Sequence, residues 1–395
     1  MRTHLESGAV THTVSDQTSL GDIIELGLAP GGTWQQNNLT AITGAPLTAS
    51  APFAYVAPDG SGRIVYQDSN SGITELWLAP GAETWQYDSL TALAGAPQAS
   101  SAPMALVTPG NVARVVYQDS NSGITELSLA PGGTWQYDSP TALTGAPQAS
   151  SAPSACVTPD NVTRVVYQSG GGIVELWLAP GGTWQQNSLT GLTGSSLPAE
   201  SAPFAYVTPD GTARVVYQEY VFNVVGPSGQ QAQDIVELSL APGGTWQQND
   251  LTGITGAPYP AEPGALFAYV TPDGLARVLY TGNSGGFEGS GDMIELRLQG
   301  HWIQADLSAT VTDSPPAPPA ASGPSAYVGA DGLARVLYTG SNGDINELRL
   351  DPDGWVYSDL TISVSNPPAP PAASAPFAYV TPDKVDRVYY SSLPS

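Results

Sequence analysis

"RVVYQDSNSGITELSLAPGGTW", residues 114–135, sets one arginine, one glutamate and one tryptophan among small, apolar and turn-forming residues. Only 12% of the chain is charged, yet this combination keeps returning. Segments like "R-V-x-Y" begin at Arg63, Arg114, Arg164, Arg214, Arg277, Arg335 and Arg387, at intervals of 50 to 63 residues. Segments like "I-x-E-L" carry Glu25, Glu75, Glu126, Glu175, Glu237, Glu295 and Glu347. A tryptophan follows each glutamate by 7 to 10 residues, at Trp34, Trp85, Trp135, Trp184, Trp246, Trp302 and Trp355. Seven of the ten arginines and seven of the nine tryptophans fall in this register, so one unit is repeated seven times.

Each unit reads as four strands. In residues 201–252 these are "SAPFAYVTP", "ARVVYQ", "DIVELSLAP" and "TWQQNDLT". "TPDG" and "APGG" supply the preset φ of proline and the positive φ of glycine that tight hairpins need. A period near 50 residues with four strands predicts a β-propeller blade. The fold expected is all-β, a seven-bladed propeller of four-stranded antiparallel blades, over residues 17–395. Residues 1–16 read as an N-terminal arm.

The two ends are complementary. Residues 22–40 hold a Glu strand and a Trp strand without partners, and the C-terminus ends on "SAPFAYVTP" and "DRVYY", the two strands that are missing. Pairing them closes the ring and removes an open edge. An alternative pairs residues 12–17, "HTVSDQ", in the Arg-strand position. The inserts at 219–233 and 281–292 read as loops that could cover or extend the Arg214 and Arg277 sites. The proline-rich pieces at 313–321 and 365–373 read as connectors between blades.

Charge and composition exclude several functions. A net charge of −24 argues against nucleic-acid backbones and anionic membrane surfaces. The single cysteine, Cys156, permits neither an intramolecular disulfide nor a Cys-based zinc site. Cys156 shares a slot with Tyr55, Tyr206, Tyr269, Tyr327, Tyr379 and Leu106, a pattern that reads as packing, so its thiol is expected to be inert. Val116, Leu127 and Leu129 read as core. No apolar run approaches a membrane span, and residues 1–20 lack the apolar core of a secretory signal. The expectation is a soluble protein, cytoplasmic or exported by another route, with no cofactor or metal and with monomer and homodimer both open.

Arginine offers a rigid fork of donors, a carboxylate offers only acceptors, and an indole face covers apolar C–H groups. That set suits a neutral monosaccharide, whose hydroxyls make both demands. The order Arg, Glu and Trp, repeated over nearly the whole chain, resembles the fungal and bacterial fucose-specific propeller lectins, the Aleuria-type family. The resemblance implies no catalytic residues and a fucose pocket at each seam between blades, with partners among fucosylated glycans. Arg and Glu of one blade would bond the sugar and Trp of the next would stack on it. So grouped, Arg63 and Glu75 face Trp135, Arg114 and Glu126 face Trp184, and Arg164 and Glu175 face Trp246. Arg214 and Glu237 face Trp302, Arg277 and Glu295 face Trp355, Arg335 and Glu347 face Trp34, and Arg387 and Glu25 face Trp85.

This chain departs from the family pattern in two ways. Well-known fungal members have six blades, and they often carry a second aromatic close behind the Glu. Here that position holds Trp77 and Trp177 but also Gly27, Ser128, Ser239, Arg297 and Arg349. Two other functional classes stay open. One is a protein-interaction propeller whose triads only hold blades together. The other is a propeller glycosidase, which the equal repetition of the polar set and the three unregistered histidines, His4, His12 and His301, do not favour.

Overall fold

Alternating apolar residues such as Ile64, Tyr66 and Leu76 make each repeat a sheet with two faces to bury, and it folds as the spacing predicts. The computed structural model describes residues 21–394 apart from 196, 226–230, 262–263, 283–290, 312–315 and 365–367. In the Arg63 blade, Phe53–Val56, Gly62–Gln67, Ile73–Leu78 and Gln86–Ser89 lie side by side in chain order, all antiparallel. Gly60 turns the first hairpin at φ 80° and Gly81 the third at φ 73°, conformations that glycine reaches without strain. Seven such sheets form a seven-bladed propeller. The first strand of each blade meets those of its neighbours around the axis.

Ring closure comes from the C-terminus. Ile23–Leu28 pairs with Asp386–Ser391, with Phe377–Val380 and Gln35–Asn38 flanking them, so one sheet unites the first and last strands of the described residues. Residues 12–17 lie outside the described residues, and the edge they would have joined is taken by Asp386–Ser391.

No blade can cover both of its faces alone, and the core is accordingly divided among the seams. Seven apolar clusters recur, each drawn from consecutive blades; one joins Val116 and Ile124 to Val165, Tyr167, Leu176 and Trp184. Val116 and Leu127 are buried as expected, whereas Leu129 is only half-buried at the cluster's edge. Each fully buried side chain of this size contributes about 1.5–3 kcal/mol.

The connectors have specific anchors. Tyr66, Tyr117, Tyr167, Tyr280, Tyr338 and Tyr390 donate their hydroxyls to the carbonyls of Pro46, Pro97, Pro147, Pro258, Pro318 and Pro370, at 2.7–3.0 Å. Gln67 and Gln118 reach the carbonyls of Ala99 and Ala149, in the connectors that enter the next blade. The structure adds an element that the four-strand reading lacked. A helix of four or five residues follows the outer strand of every blade, such as Leu39–Thr43 capped by the Asn38 side chain and ended by Gly44 at φ 73°.

The first insert is corrected. Residues 219–225 and 231–233 are not a loop but continue the strands Ala213–Val225 and Gln231–Leu240 as a long hairpin. "YVFNVV" is β-branched and aromatic enough to prolong the pairing. The hairpin leaves the end of the blade opposite Arg214, so it neither covers nor extends that site. The second insert also departs from that opposite end, where Gly282 pairs with Asp292; residues 283–290 lie outside the described residues.

Removing a connector anchor leaves a proline carbonyl without its donor. Tyr117→Phe is expected to cost about 1 kcal/mol of stability. Urea unfolding compared with the parent chain checks this, and an unchanged midpoint would show that Pro97 needs no partner.

Candidate functional site

The second strand of each blade begins with the arginine, and the third places the glutamate diagonally across from it. Val65 pairs with Glu75 while Arg63 pairs with Trp77, so Arg and Glu share one face of the sheet. The side chains meet in every blade. Arg63, Arg164, Arg214 and Arg277 bring Nη1 to 2.5–2.7 Å from Glu75, Glu175, Glu237 and Glu295. Arg114 and Arg387 pair with Glu126 and Glu25 through the same nitrogen. Arg335 is different: it turns Nε toward Glu347 at 3.2 Å.

The glutamates lie at the floor of the seam, at most 4% exposed, and the polar groups beside them vary from blade to blade. Asn37, Asn187 and Asn249 stand opposite Glu25, Glu175 and Glu237 in register and donate to them at 2.8–3.3 Å. Opposite Glu75 and Glu126 the residues are Asp88 and Asp138, which repel instead. Burial raises the Glu75 carboxyl to about 7, against the pull of Arg63, and Asp88 pushes the same way. Burial likewise raises Glu126, with Asp138 adding to it, and takes Glu347 to about 7. These Asn and Asp residues were missed at the sequence level, although the alternation of "WQQN" with "WQYD" carries the signal.

The slot of Tyr55 is more than packing. Its hydroxyl donates to Glu75 at 2.8 Å and that of Tyr206 to Glu237 at 3.4 Å. Leu106 and Cys156 bring no hydroxyl to Glu126 and Glu175. Burial pushes the Cys156 thiol up to about 12, which suits an inert group.

The tryptophans lie across the seam from the predicted partners. Trp135 packs in the cluster that holds Tyr55 and Val65, Trp246 in that of Cys156, and Trp85 meets Tyr389 edge to face at 6.3 Å. Five indoles are 7–8% exposed, while Trp34 and Trp355 are half-buried. The indoles are thus embedded in the interblade clusters.

A cup opens above the pair at Arg63, at Arg335 and at Arg164. It sits on the face that carries the first and third hairpin turns. The cups at Arg63, Arg335 and Arg164 have volumes of about 320, 350 and 440 Å³. At Arg164 the walls are Pro159 and Asp160 from its own blade, with Gly211 and Leu240–Gly244 from the next. At Arg63 they are Pro58 and Asp59, with Ala113 and the "LAPGG" turn at 129–133. The Arg guanidinium faces the cup while Glu and Trp are not among its lining residues. The "LAPGG" turn, read from sequence only as a hairpin, is therefore one wall of the candidate site.

The described residues include no cluster of three or more His, Cys, Asp or Glu able to hold a metal ion, and no helix long and apolar enough to cross a membrane. No family model matches the chain, and no curated protein matches it in sequence. Solved structures do. AofleA from Arthrobotrys oligospora matches with a TM-score of 0.50 and 14% identity over 88% of this chain and 90% of that one. The lectin of Aleuria aurantia, a six-bladed propeller with a fucose recognition mode, matches with a TM-score of 0.50 and 16% identity over 78% and 93%. In fold, this chain resembles the Aleuria-type propellers. A polysaccharide lyase, an ulvan lyase bound to a sulfated disaccharide repeat, is also similar, with a TM-score of 0.50 and 13% identity over 86% and 93%.

The pairing of Glu75 with Asp88 fixes the sign of a pH effect. A carboxyl raised in the folded state binds its proton more tightly there, so its contribution is favourable at low pH and lost as pH rises from the unfolded value through about 7. Asp88→Asn replaces a like charge with a donor. It should stabilise the protein at pH 8 by about 1 kcal/mol and by less at pH 5. Denaturant unfolding at the two pH values checks it; equal gains would remove Asp88 from the account.

Proposed function

We propose that the chain is a multivalent lectin that takes fucosylated glycans in the cups between its blades. The observation that carries this reading is the repetition around the ring of an arginine held on a buried glutamate, with half-open cups above the pairs at Arg63 and Arg164. In each of the seams at Arg63, Arg114, Arg164, Arg214, Arg277 and Arg387 a buried glutamate holds Nη1 from beneath. Nη2 at Arg114, Arg164, Arg214, Arg277 and Arg387 has no protein partner among the described residues, which leaves a donor for sugar hydroxyls or a ring oxygen. At Arg63 and Arg164 the Leu-Ala-Pro-Gly-Gly turn of the next blade supplies apolar surface for the C–H side of the sugar, and its glycines let a ligand approach the backbone closely. On this reading Glu25, Glu75, Glu126, Glu175, Glu237 and Glu295 act through the arginine. Trp85, Trp135, Trp184, Trp246, Trp302 and Trp355 brace the wall, stacking on the ligand only with the indole edge that they leave exposed.

Fucose is the favoured sugar because similar folds include a lectin with a fucose recognition mode, and because a deoxy sugar offers the apolar patch that this wall suits. The similarity to a polysaccharide lyase keeps a catalytic reading in view. Catalysis calls for acid and base groups free to reach a ligand, whereas six seams carry the same Arg–Glu contact and in the seventh a carboxylate engages both terminal nitrogens of Arg335.

Shallow sugar sites bind weakly one at a time, and several on one rigid face gain about 10²–10⁴-fold through effective concentration. Arg114→Ala is expected to lower the stoichiometry for methyl fucoside by one in titration calorimetry while barely changing avidity on a fucosylated surface. Replacing the arginines of all the open seams should abolish both. A wild-type stoichiometry near zero would end the lectin reading.

A further inference from the structure

Gly329 stands where five of the other blades carry a threonine at the start of the first hairpin turn. The first hairpin turn reads Thr-Pro-Asp in the blades of Arg164, Arg214, Arg277 and Arg387, but Gly329-Ala-Asp331 in the blade of Arg335. In three of those turns the threonine hydroxyl ties down the aspartate, as Thr158 does Asp160 at 2.5 Å and Thr208 and Thr271 do Asp210 and Asp273 at 2.6 Å. Without that hydroxyl, Asp331 turns inward. Its two oxygens take Nη1 and Nη2 of Arg335 at 2.8 and 2.7 Å, a bidentate grip. The hydrogen bond to Arg335 holds the Asp331 carboxyl down at about 2.

Arg335 can adopt this pose only because residue 329 has no side chain. A Cβ there would overlap Nη1 and Cζ of Arg335. The guanidinium thus occupies the space that the threonine fills elsewhere, and it meets Glu347 with Nε instead of Nη1. The ion pair also reaches across the seam. Asp386, on the blade that closes the ring, accepts from the Ala330 backbone N–H at 2.8 Å and lies 3.8 Å from Nη2 of Arg335. Lys384, the chain's one lysine, lines the same cup with a left-handed φ of 63°. Ala57 likewise replaces the turn threonine in the blade of Arg63, where Asp59 reaches Nη2 only at 3.3 Å and by one oxygen.

We propose that the Arg335 seam does not take the sugar and serves as an ionic clasp between the last blade and the closing blade, with Gly329 deciding between the two roles. The absence of sugar there rests on the lectin reading; the clasp does not.

Two measurements test this separately. In calorimetric titration with methyl fucoside, Gly329→Thr should push the guanidinium out of the turn and raise the stoichiometry by one over the parent chain. Asp331→Ala, which frees both terminal nitrogens, should do the same and stands in if the threonine variant fails to fold. A parent stoichiometry equal to the number of seams, or no gain in either variant, would overturn the loss of the site. In thermal unfolding, Asp386→Ala, which removes both contacts across the seam, should lower Tm while Asp160→Ala leaves it nearly unchanged. Equal melting of the two would overturn the clasp. If the parent chain gives no heat with the sugar, the lectin reading fails, and the melting comparison still decides the clasp.

Discussion

The antiparallel pairing of Ile23–Leu28 with Asp386–Ser391 is the constraint on which the ring depends. Every blade carries an apolar face on each side, and only a closed ring gives all of those faces a partner. An open chain of blades would leave two faces bare and one sheet half-built. The same pairing assembles Arg387 with Glu25 from opposite ends of the chain. This Arg–Glu pair and the topological closure are therefore one event, and the pair does not exist until the chain has come full circle.

Buried Arg–Glu pairs are weak evidence for stability. Taking both charges out of water costs several kcal/mol per ion, and well-packed apolar residues of similar volume are often as good or better. The chain nevertheless keeps the pair in every blade while letting neighbouring positions drift, as Trp77, Ser128, Gly27 and Arg349 show at one slot. The cost is met unevenly: Asn187 supplies a donor to Glu175, whereas Asp88 and Asp138 add a like charge to Glu75 and Glu126. A guanidinium held from below and presented at a cup's floor accounts for this retention better than adhesion between blades does.

Much of this was legible from spacing alone. The register of seven Arg, Glu and Trp positions gave blade number, strand count and closure, because a repeated sheet with a fixed hairpin geometry leaves little freedom in where its residues fall. What spacing could not give was depth. Trp and Glu both recur, but whether a recurring residue lines a cup or lies beneath it depends on the turn above it, here Leu-Ala-Pro-Gly-Gly. The short helices escaped because four or five residues show no periodicity, although the Asn38 cap and Gly44 mark both ends of one. The hairpin built on 219–225 was hidden by the glycine, proline and glutamine residues around it.

Seams that share one pattern need not share one function, and the difference can hang on a single side chain. Thr208 and Gly329 occupy the same turn position, yet the first ties down Asp210 and the second lets Asp331 take both terminal nitrogens of Arg335. That exchange falls at the seam with the closing blade, whose sheet combines Ile23–Leu28 and Gln35–Asn38 with Phe377–Val380 and Asp386–Ser391. A repeat protein with many weak, equivalent sites loses little avidity when one is given up. On the proposed reading, redundancy of binding frees one seam to act as a fastening, here against the blade whose sheet unites early and late strands.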